Sequence, residues 1–401
     1  MKKKLTTLTL SGLMIGPILG SGIILLPPIV YAMIGNLSLI AWLIILVFGF
    51  AFALVLGDLS IKFPGDEGVT NAVEAAFSKK LKYLTSYYLI SAVFFGPVAV
   101  YYVGAHFIQP LLGGDINLIA FILLLLTGVT LLRPVHFLGK LSLVVSTLVG
   151  IILSLGSVAV LLKYPITISV DATFEIIPIS KALLLAFWAI VGWEVIGNYS
   201  KDVEEPTTTI PKAVKLSALL MSLIYLLVIC AIQFTSLHQN NAITALISPL
   251  FGSASVWVMG ILALLLCMST VLLFVGGVSR LISGLTSQSN TLLRYLSHRL
   301  TNGAPIGAIL FLCCINAMVI VLVSMGFLNT QDLVSLADGF FIANASIALL
   351  AAYKLAQNVL IRYTALILSM LFLAVLLSSH CLVLAIMALM ALKVLLYTRL
   401  E

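Results

Sequence analysis

What most constrains this chain is how far it runs without a charge. Between Lys4 and Asp58, and again between Lys215 and Arg280, there is no Asp, Glu, Lys or Arg. A membrane-spanning helix needs about 20 predominantly apolar residues, so either stretch is long enough to cross a bilayer more than once. Over 401 residues the 21 basic and 14 acidic side chains amount to 9%, where a soluble domain carries about 25%. With 62% of residues hydrophobic, a water-soluble enzyme is excluded. The runs lack the apolar–polar alternation of outer-membrane barrel strands, so the spans are helices.

Apolar runs bounded by charge, Gly or Pro place twelve spans near 8–33, 38–59, 83–112, 116–132, 138–162, 180–199, 213–236, 254–279, 305–326, 333–353, 361–378 and 380–398. No sizeable soluble domain fits between them. Met1-Lys2-Lys3-Lys4 before an apolar run imitates a signal peptide, but no polar mature region follows, so the first span is read as retained. Short loops rich in Lys and Arg stay cytoplasmic. With the N-terminus inside, residues from Lys2, Lys3 and Lys4 through Lys201, Arg280 and Arg299 to Arg399 fall on the inner side, and only Lys163 and Lys181 fall outside. The expectation is a multi-pass protein of a bacterial inner membrane, surrounded by lipid, with both termini cytoplasmic.

Catalytic or metal-binding patterns do not emerge. Cys230, Cys267, Cys313, Cys314 and Cys381 lie in apolar segments as small hydrophobes, and the histidines at 106, 136, 238, 298 and 380 are dispersed. There is no His-Glu-x-x-His and no nucleophile elbow, so no enzyme and no cofactor are expected; a polytopic membrane enzyme is the distant alternative. The net charge of +7 is scattered over short loops, which disfavours nucleic acid. A channel would need a continuous polar lining, which so few intramembrane charges do not supply.

Two spans carry interruptions. The first contains Gly16-Pro17-Ile18-Leu19-Gly20-Ser21-Gly22-Ile23. Gly lets the backbone leave helical geometry, and N–H groups freed at a restarting helix bind anions; close helix packing through small residues is the other reading. The sixth contains Phe187-Trp188-Ala189-Ile190-Val191-Gly192-Trp193-Glu194-Val195-Ile196-Gly197, two glycines bracketing an acid at membrane depth. A carboxylate there costs about 2.5 to 3.5 kcal/mol on insertion scales and normally faces a cavity, an ion path or a partner. Gly20 and Gly192 occupy equivalent places if spans one to ten are two inverted repeats of five, residues 1–162 and 163–355, followed by two helices in 356–401. Paired interruptions mark a central transporter site. N–H groups at one break and open carbonyls at the other suit the carboxylate and amino group of an α-amino acid.

Three motifs resemble the amino acid–polyamine–organocation superfamily of transporters: Gly20-Ser21-Gly22-Ile23; Phe63-Pro64-Gly65-Asp66-Glu67-Gly68-Val69 after span two; and Phe187 to Glu194 continuing through Lys201-Asp202-Val203-Glu204-Glu205-Pro206 to Ile210-Pro211-Lys212-Ala213. Two positions depart from the family pattern, Glu67 within the usual Gly pair and Glu205-Pro206 where Asn-Pro is usual. Cys267-Met268-Ser269-Thr270 with Arg280 in span eight is similar to the bacterial branch that exports methionine and branched-chain amino acids. The resemblance implies an all-α, leucine-transporter-like five-plus-five inverted repeat with interrupted helices one and six.

It further implies that Gly20, Ser21, Gly22 and Ile23 donate backbone groups to the carboxylate, and that Trp188 and Val191 lie beside the amino group. Ile24, Phe187, Ala189, Ile190 and Gly192 complete the expected site. Trp188 reads either as a rigid lid or as a packing residue. Glu194 reads as the coupling acid, since protonation removes a buried charge, or as a structural hydrogen-bonding acid. Asp338 faces either the site or the bundle. Ser269 and Thr270 read as part of a sodium site or as partners of backbone carbonyls. Span five carries no Lys or Arg between Leu141 and Leu162, so a fixed ammonium there is not the coupling device. The neutral candidate lining Ile23, Ile24, Phe94, Phe95 and Val191 argues for methionine, leucine, isoleucine and valine over arginine or polyamines. Phe94 and Phe95 read equally as bundle packing. Proton-coupled export is the expected mode; import or exchange of amino acids or amines, and a homodimer, are left open.

Overall fold

The computed structural model of the chain describes residues 4–166, 175–235, 242–289, 291–377, 379 and 381–397. Lys2, Lys3, Arg399, His238 and His380 lie outside the described residues. Helices dominate: α1 (Thr7–Ile34), α2 (Ser38–Lys62), α3 (Val69–Ala76), α4 (Lys79–Leu112), α5 (Ile116–Leu131), α6 (Val135–Lys163) and α7 (Ile176–Phe187) in the first half. α8 (Pro206–Phe234), α9 (Ala242–Phe251), α10 (Ser255–Thr286), α11 (Ile306–Ser324), α12 (Thr330–Leu355), α13 (Val359–Leu377) and α14 (Cys381–Tyr397) follow. Their starts are chemically marked. Thr6 and Thr9 form a reciprocal capping box on α1, Asn329 and Asp332 one on α12, Asp115 caps α5, Ser78 caps α4, and Pro206 occupies the first turn of α8.

Nine segments of the described residues are long and apolar enough to cross a membrane. One of these, Thr7–Lys62, holds α1 and α2 joined by the tight turn Gly35–Leu37, and another, Ala242–Thr286, holds α9 and α10. The helix α5 and residues Val383–Val394 of α14 are shorter apolar helices. Two short helices, α3 and α9, were not among the expected elements. Large apolar side chains point outward from α5, α11 and α13, as Leu125, Val129, Leu310, Met318, Ile367 and Met370 do, which is where hydrocarbon contact is needed.

The core is built around α1. It packs against α6, α8 and α10, while α4 lies between α10 and α12, and α2 runs along α8. At one end of the bundle the polar loops are tied together. Asp66 pairs with Lys201 at 3.0 Å and Arg299 at 3.3 Å, Lys82 pairs with Glu67 and Glu74, and Arg280 pairs with Asp202 at 2.8 Å. Leu5 forms a parallel bridge with Val203, its N–H bonding Asp202 O at 2.8 Å. These residues come from the side that the Lys and Arg count assigns to the cytoplasm, so charges far apart in sequence share one face in the fold.

Candidate functional site

Midway along α1 the backbone leaves helical geometry at Gly20, with φ 31° and ψ −144°. That conformation favours Gly, and space demands it too: a Cβ there would lie 2.5 Å from Thr270 Oγ1. The carbonyls of the turn before a break lack intrahelical partners. Here hydroxyls from other helices meet two of them, Thr270 of α10 at 3.3 Å from Pro17 O and Tyr225 of α8 at 3.3 Å from Ile18 O.

Opposite, α7 stops at Phe187. A tight turn over Trp188–Ile190 leads to extended Val191 (φ −71°, ψ 136°) and Gly192 (φ 130°, ψ −22°), after which the chain rewinds as a 3₁₀ helix over Trp193–Asp202. Only Gly adopts the Gly192 conformation without strain. The Gly192 N–H donates to Glu194 Oε2 at 3.1 Å, so this carboxylate closes the turn it follows. Its other oxygen is buried without a hydrogen-bond partner.

The two irregular segments face each other across a cavity of about 10 Å³ lined by Pro17, Ile18, Gly22, Trp188, Val191, Thr270 and Phe274. Trp188 Nε1 donates to Ser21 Oγ at 3.1 Å and so bridges the two segments directly. Small-molecule sites usually run ~300–1,000 Å³, whereas the cavity left here holds about one water, so the two segments are closed on each other. The lining side chains are apolar except for the Thr270 hydroxyl and the Trp188 indole N–H, and Phe274 packs at a tilt on Phe341 of α12, 5.1 Å between centroids. A larger space of about 360 Å³ between Ile15, α6 and α8 has Ile151 and Leu155 more than half exposed on its wall. It is a groove open toward lipid and meets neither segment.

Of the residues expected at the site, Gly22, Trp188, Val191 and Thr270 line the pocket, and Ser21 joins through Trp188. Gly20 and Gly192 shape its walls; Ile23 and Ile24 are buried beside it in sequence. Ala189 packs on Gly22. Two others point elsewhere: Ile190 lies against Gly49 of α2, and Phe187 stacks edge-on against Phe372 of α13 at 4.6 Å. Phe94 packs on Phe311 of α11 rather than in the pocket. Ser269 Oγ lies 3.2 Å from Ser142 Oγ of α6 and packs against Gly16, one helix face away from Thr270. Thr270 Oγ1 also lies 3.0 Å from Leu266 O, so both hydroxyls serve helix contacts. Asp338 is buried on α12, with Oδ1 unpartnered, next to Ala337, which packs on Gly96.

Sequence reasoning missed Pro17, Ile18 and Phe274 as lining residues. Phe274 had a signal, since it stands one helical turn after Thr270 and therefore shares its face. Tyr225 had none, because its partner lies on another helix.

Residues 5–397 match the amino acid permease family. The chain is 24% identical over 363 residues to the L-methionine/branched-chain amino acid exporter YjeH of Escherichia coli (strain K12), covering 86% of this chain and 85% of that one. It is also 24% identical over 365 residues to the "uncharacterized amino acid permease YecA" of Bacillus subtilis (strain 168), covering 88% and 86%.

Proposed function

The chain belongs to the amino acid permease family, and from that premise we propose that it is a secondary transporter of neutral, apolar L-amino acids. Methionine, leucine, isoleucine and valine are the substrates in this reading, exported across the inner membrane by alternating access. The observation that carries it is the pair of irregular backbone segments that face each other within the helical bundle, closed over a small apolar cavity and bridged by Trp188 and Ser21. Such paired segments offer N–H groups to a carboxylate and carbonyls to an amino group. An apolar wall of Trp188, Val191 and Phe274 suits an uncharged side chain, and discrimination of about 1 to 3 kcal/mol per methylene leads to overlapping substrates. The named activity of the Escherichia coli relative supports the same substrate group and the export direction.

In this reading residues 1–162 and 163–355 are two inverted repeats, with α1 and the Ile176–Asp202 segment as their interrupted first helices. Residues 356–401 add two helices, giving twelve spans with both termini cytoplasmic. Glu194 is the coupling acid. Its charge is buried beside Gly192, so taking up or losing a proton alters the bond that closes the turn at the pocket. Proton coupling is preferred to sodium because Ser269 and Thr270 are engaged in helix contacts.

Counterflow of labelled methionine or leucine in proteoliposomes tests the function. Saturable exchange is expected; no saturable flux of any neutral amino acid under imposed pH or sodium gradients would refute it. Glu194→Gln is expected to abolish accumulation driven by a pH gradient while retaining exchange, and unchanged accumulation would remove Glu194 from the coupling role.

A further inference from the structure

Tyr225 is fully buried on α8, and its hydroxyl reaches the irregular turn of α1. The ring is held on one side by Trp42 of α2, also fully buried, at 5.3 Å between centroids and 31° between planes. The hydroxyl lies 3.3 Å from Ile18 O, in the turn that precedes the break at Gly20. A phenol clamped in this way keeps its oxygen in one place, within donating distance of the Ile18 carbonyl.

The same hydroxyl explains a glycine. A Cβ built on Gly22 would lie 2.8 Å from Tyr225 Oη, closer than such atoms approach. Outside its own helix, the next neighbours of that Cβ are Ala189 Cα at 3.5 Å and Ala189 Cβ at 3.7 Å, both ordinary contacts. Gly22 is not in a left-handed conformation, so its backbone imposes no demand for Gly. The only obstacle to a methyl group is the tyrosine hydroxyl.

We propose that Tyr225 is a positioning residue that fixes the geometry of the α1 break, and that residue 22 is Gly to admit the Tyr225 hydroxyl rather than to admit substrate. This rests on the reading of the α1 break as part of the substrate site. Tyr225 acts by supplying the donor for Ile18 O and by setting the distance between α1 and α8. The N–H groups after the break are thereby held for a carboxylate that Tyr225 itself does not touch.

A double-mutant cycle tests this in the full chain, read twice: as melting temperature of the purified protein in detergent, and as KM and maximal rate of neutral amino acid counterflow. Tyr225→Phe leaves a buried carbonyl without its donor; KM is expected to rise about fivefold or more while the maximal rate changes by less than about twofold. Gly22→Ala drives a methyl group into the hydroxyl, lowering the melting temperature and raising KM further. In the Tyr225→Phe background Gly22→Ala is expected to add little to either, because the colliding atom is gone. Additive damage in the double variant would overturn the steric assignment. A Tyr225→Phe protein with lowered melting temperature and unchanged KM would make Tyr225 a packing residue only. Absence of counterflow in the unaltered protein would sink the transport reading, and the positioning role with it, while the melting cycle would still decide the contact between residues 22 and 225.

Discussion

The Arg280–Asp202 pair predicts an asymmetry. Arg280 is 5% exposed, Asp202 33%. The guanidinium donates to Asp202 Oδ2 at 2.8 Å and to Gly276 O at 2.7 Å, and stands 4.5 Å over the Tyr199 ring. Removing one partner of a buried pair costs about 3 to 5 kcal/mol because the other is left uncompensated. In Asp202→Ala the stranded group is the buried one. Its cation–π contact and its bond to Gly276 remain, so the expected loss is near the low end, about 3 kcal/mol. In Arg280→Met the stranded group is a carboxylate with a third of its surface open, which water can solvate, and the methionine refills most of the volume. The loss there is about 1.5 kcal/mol, the lower limit of the net worth of a hydrogen bond with a charged partner. Combining the two should be milder than Asp202→Ala alone. Temperature-dependent loss of the monodisperse peak in detergent ranks the three proteins. Equal damage from both single variants, or additive damage in the double, would refute the view that burial of Arg280, rather than the pair itself, sets the cost.

Three further outcomes follow from backbone geometry and charge. Gly192→Ala places a side chain at φ 130° and should cost about 1 to 3 kcal/mol, visible as a lower melting temperature even though its nearest neighbour, Phe274 Cζ at 3.4 Å, leaves room. Glu205→Asn should instead stabilise, by up to about 1 kcal/mol, since Glu205 is the one non-Gly residue with positive φ among the described residues (φ 42°) and Asn tolerates that region better; a neutral or harmful effect would contradict it. A reporter fused at Ala304, between α10 and α11, should read cytoplasmic, and a periplasmic signal would invert the proposed topology from that point.

What was legible in the sequence was legible for local reasons. Gly20 and Gly192 could be read as breaks because glycine and proline act on their own backbone, and both positions do leave helical geometry. Trp188 and Val191 could be placed at the site because they flank such a break. Phe187 and Ile190, chosen by the same proximity, turn toward Phe372 and Gly49 instead: within a tight turn successive side chains point in different directions, and adjacency in sequence does not decide which one faces the pocket. The departure at Glu205 also became intelligible only in three dimensions, as a left-handed position where Asn costs less than Glu.

The parts that were not legible are those in which one helix completes another. A break in a membrane helix leaves polar backbone groups that lipid cannot satisfy, so they need partners from elsewhere in the protein or from a cavity's contents. For α1 these come from Thr270, some 250 residues away, and Tyr225, some 200 away. The sequence marks where a carbonyl will be freed but not which hydroxyl will find it, since any Ser, Thr or Tyr on a neighbouring helix is chemically equivalent. Buried hydroxyls near a break therefore divide by what they already hold. Thr270 holds Pro17 and touches the pocket, whereas Tyr225 holds Ile18 and does not. If both ties persist throughout transport, α1, α8 and α10 move as one body; if substrate passage requires the break to change shape, at least one tie must be exchanged. A cross-link between residues 18 and 225 that permits flux, beside one between 17 and 270 that blocks it, would identify the exchanged tie as that of Thr270.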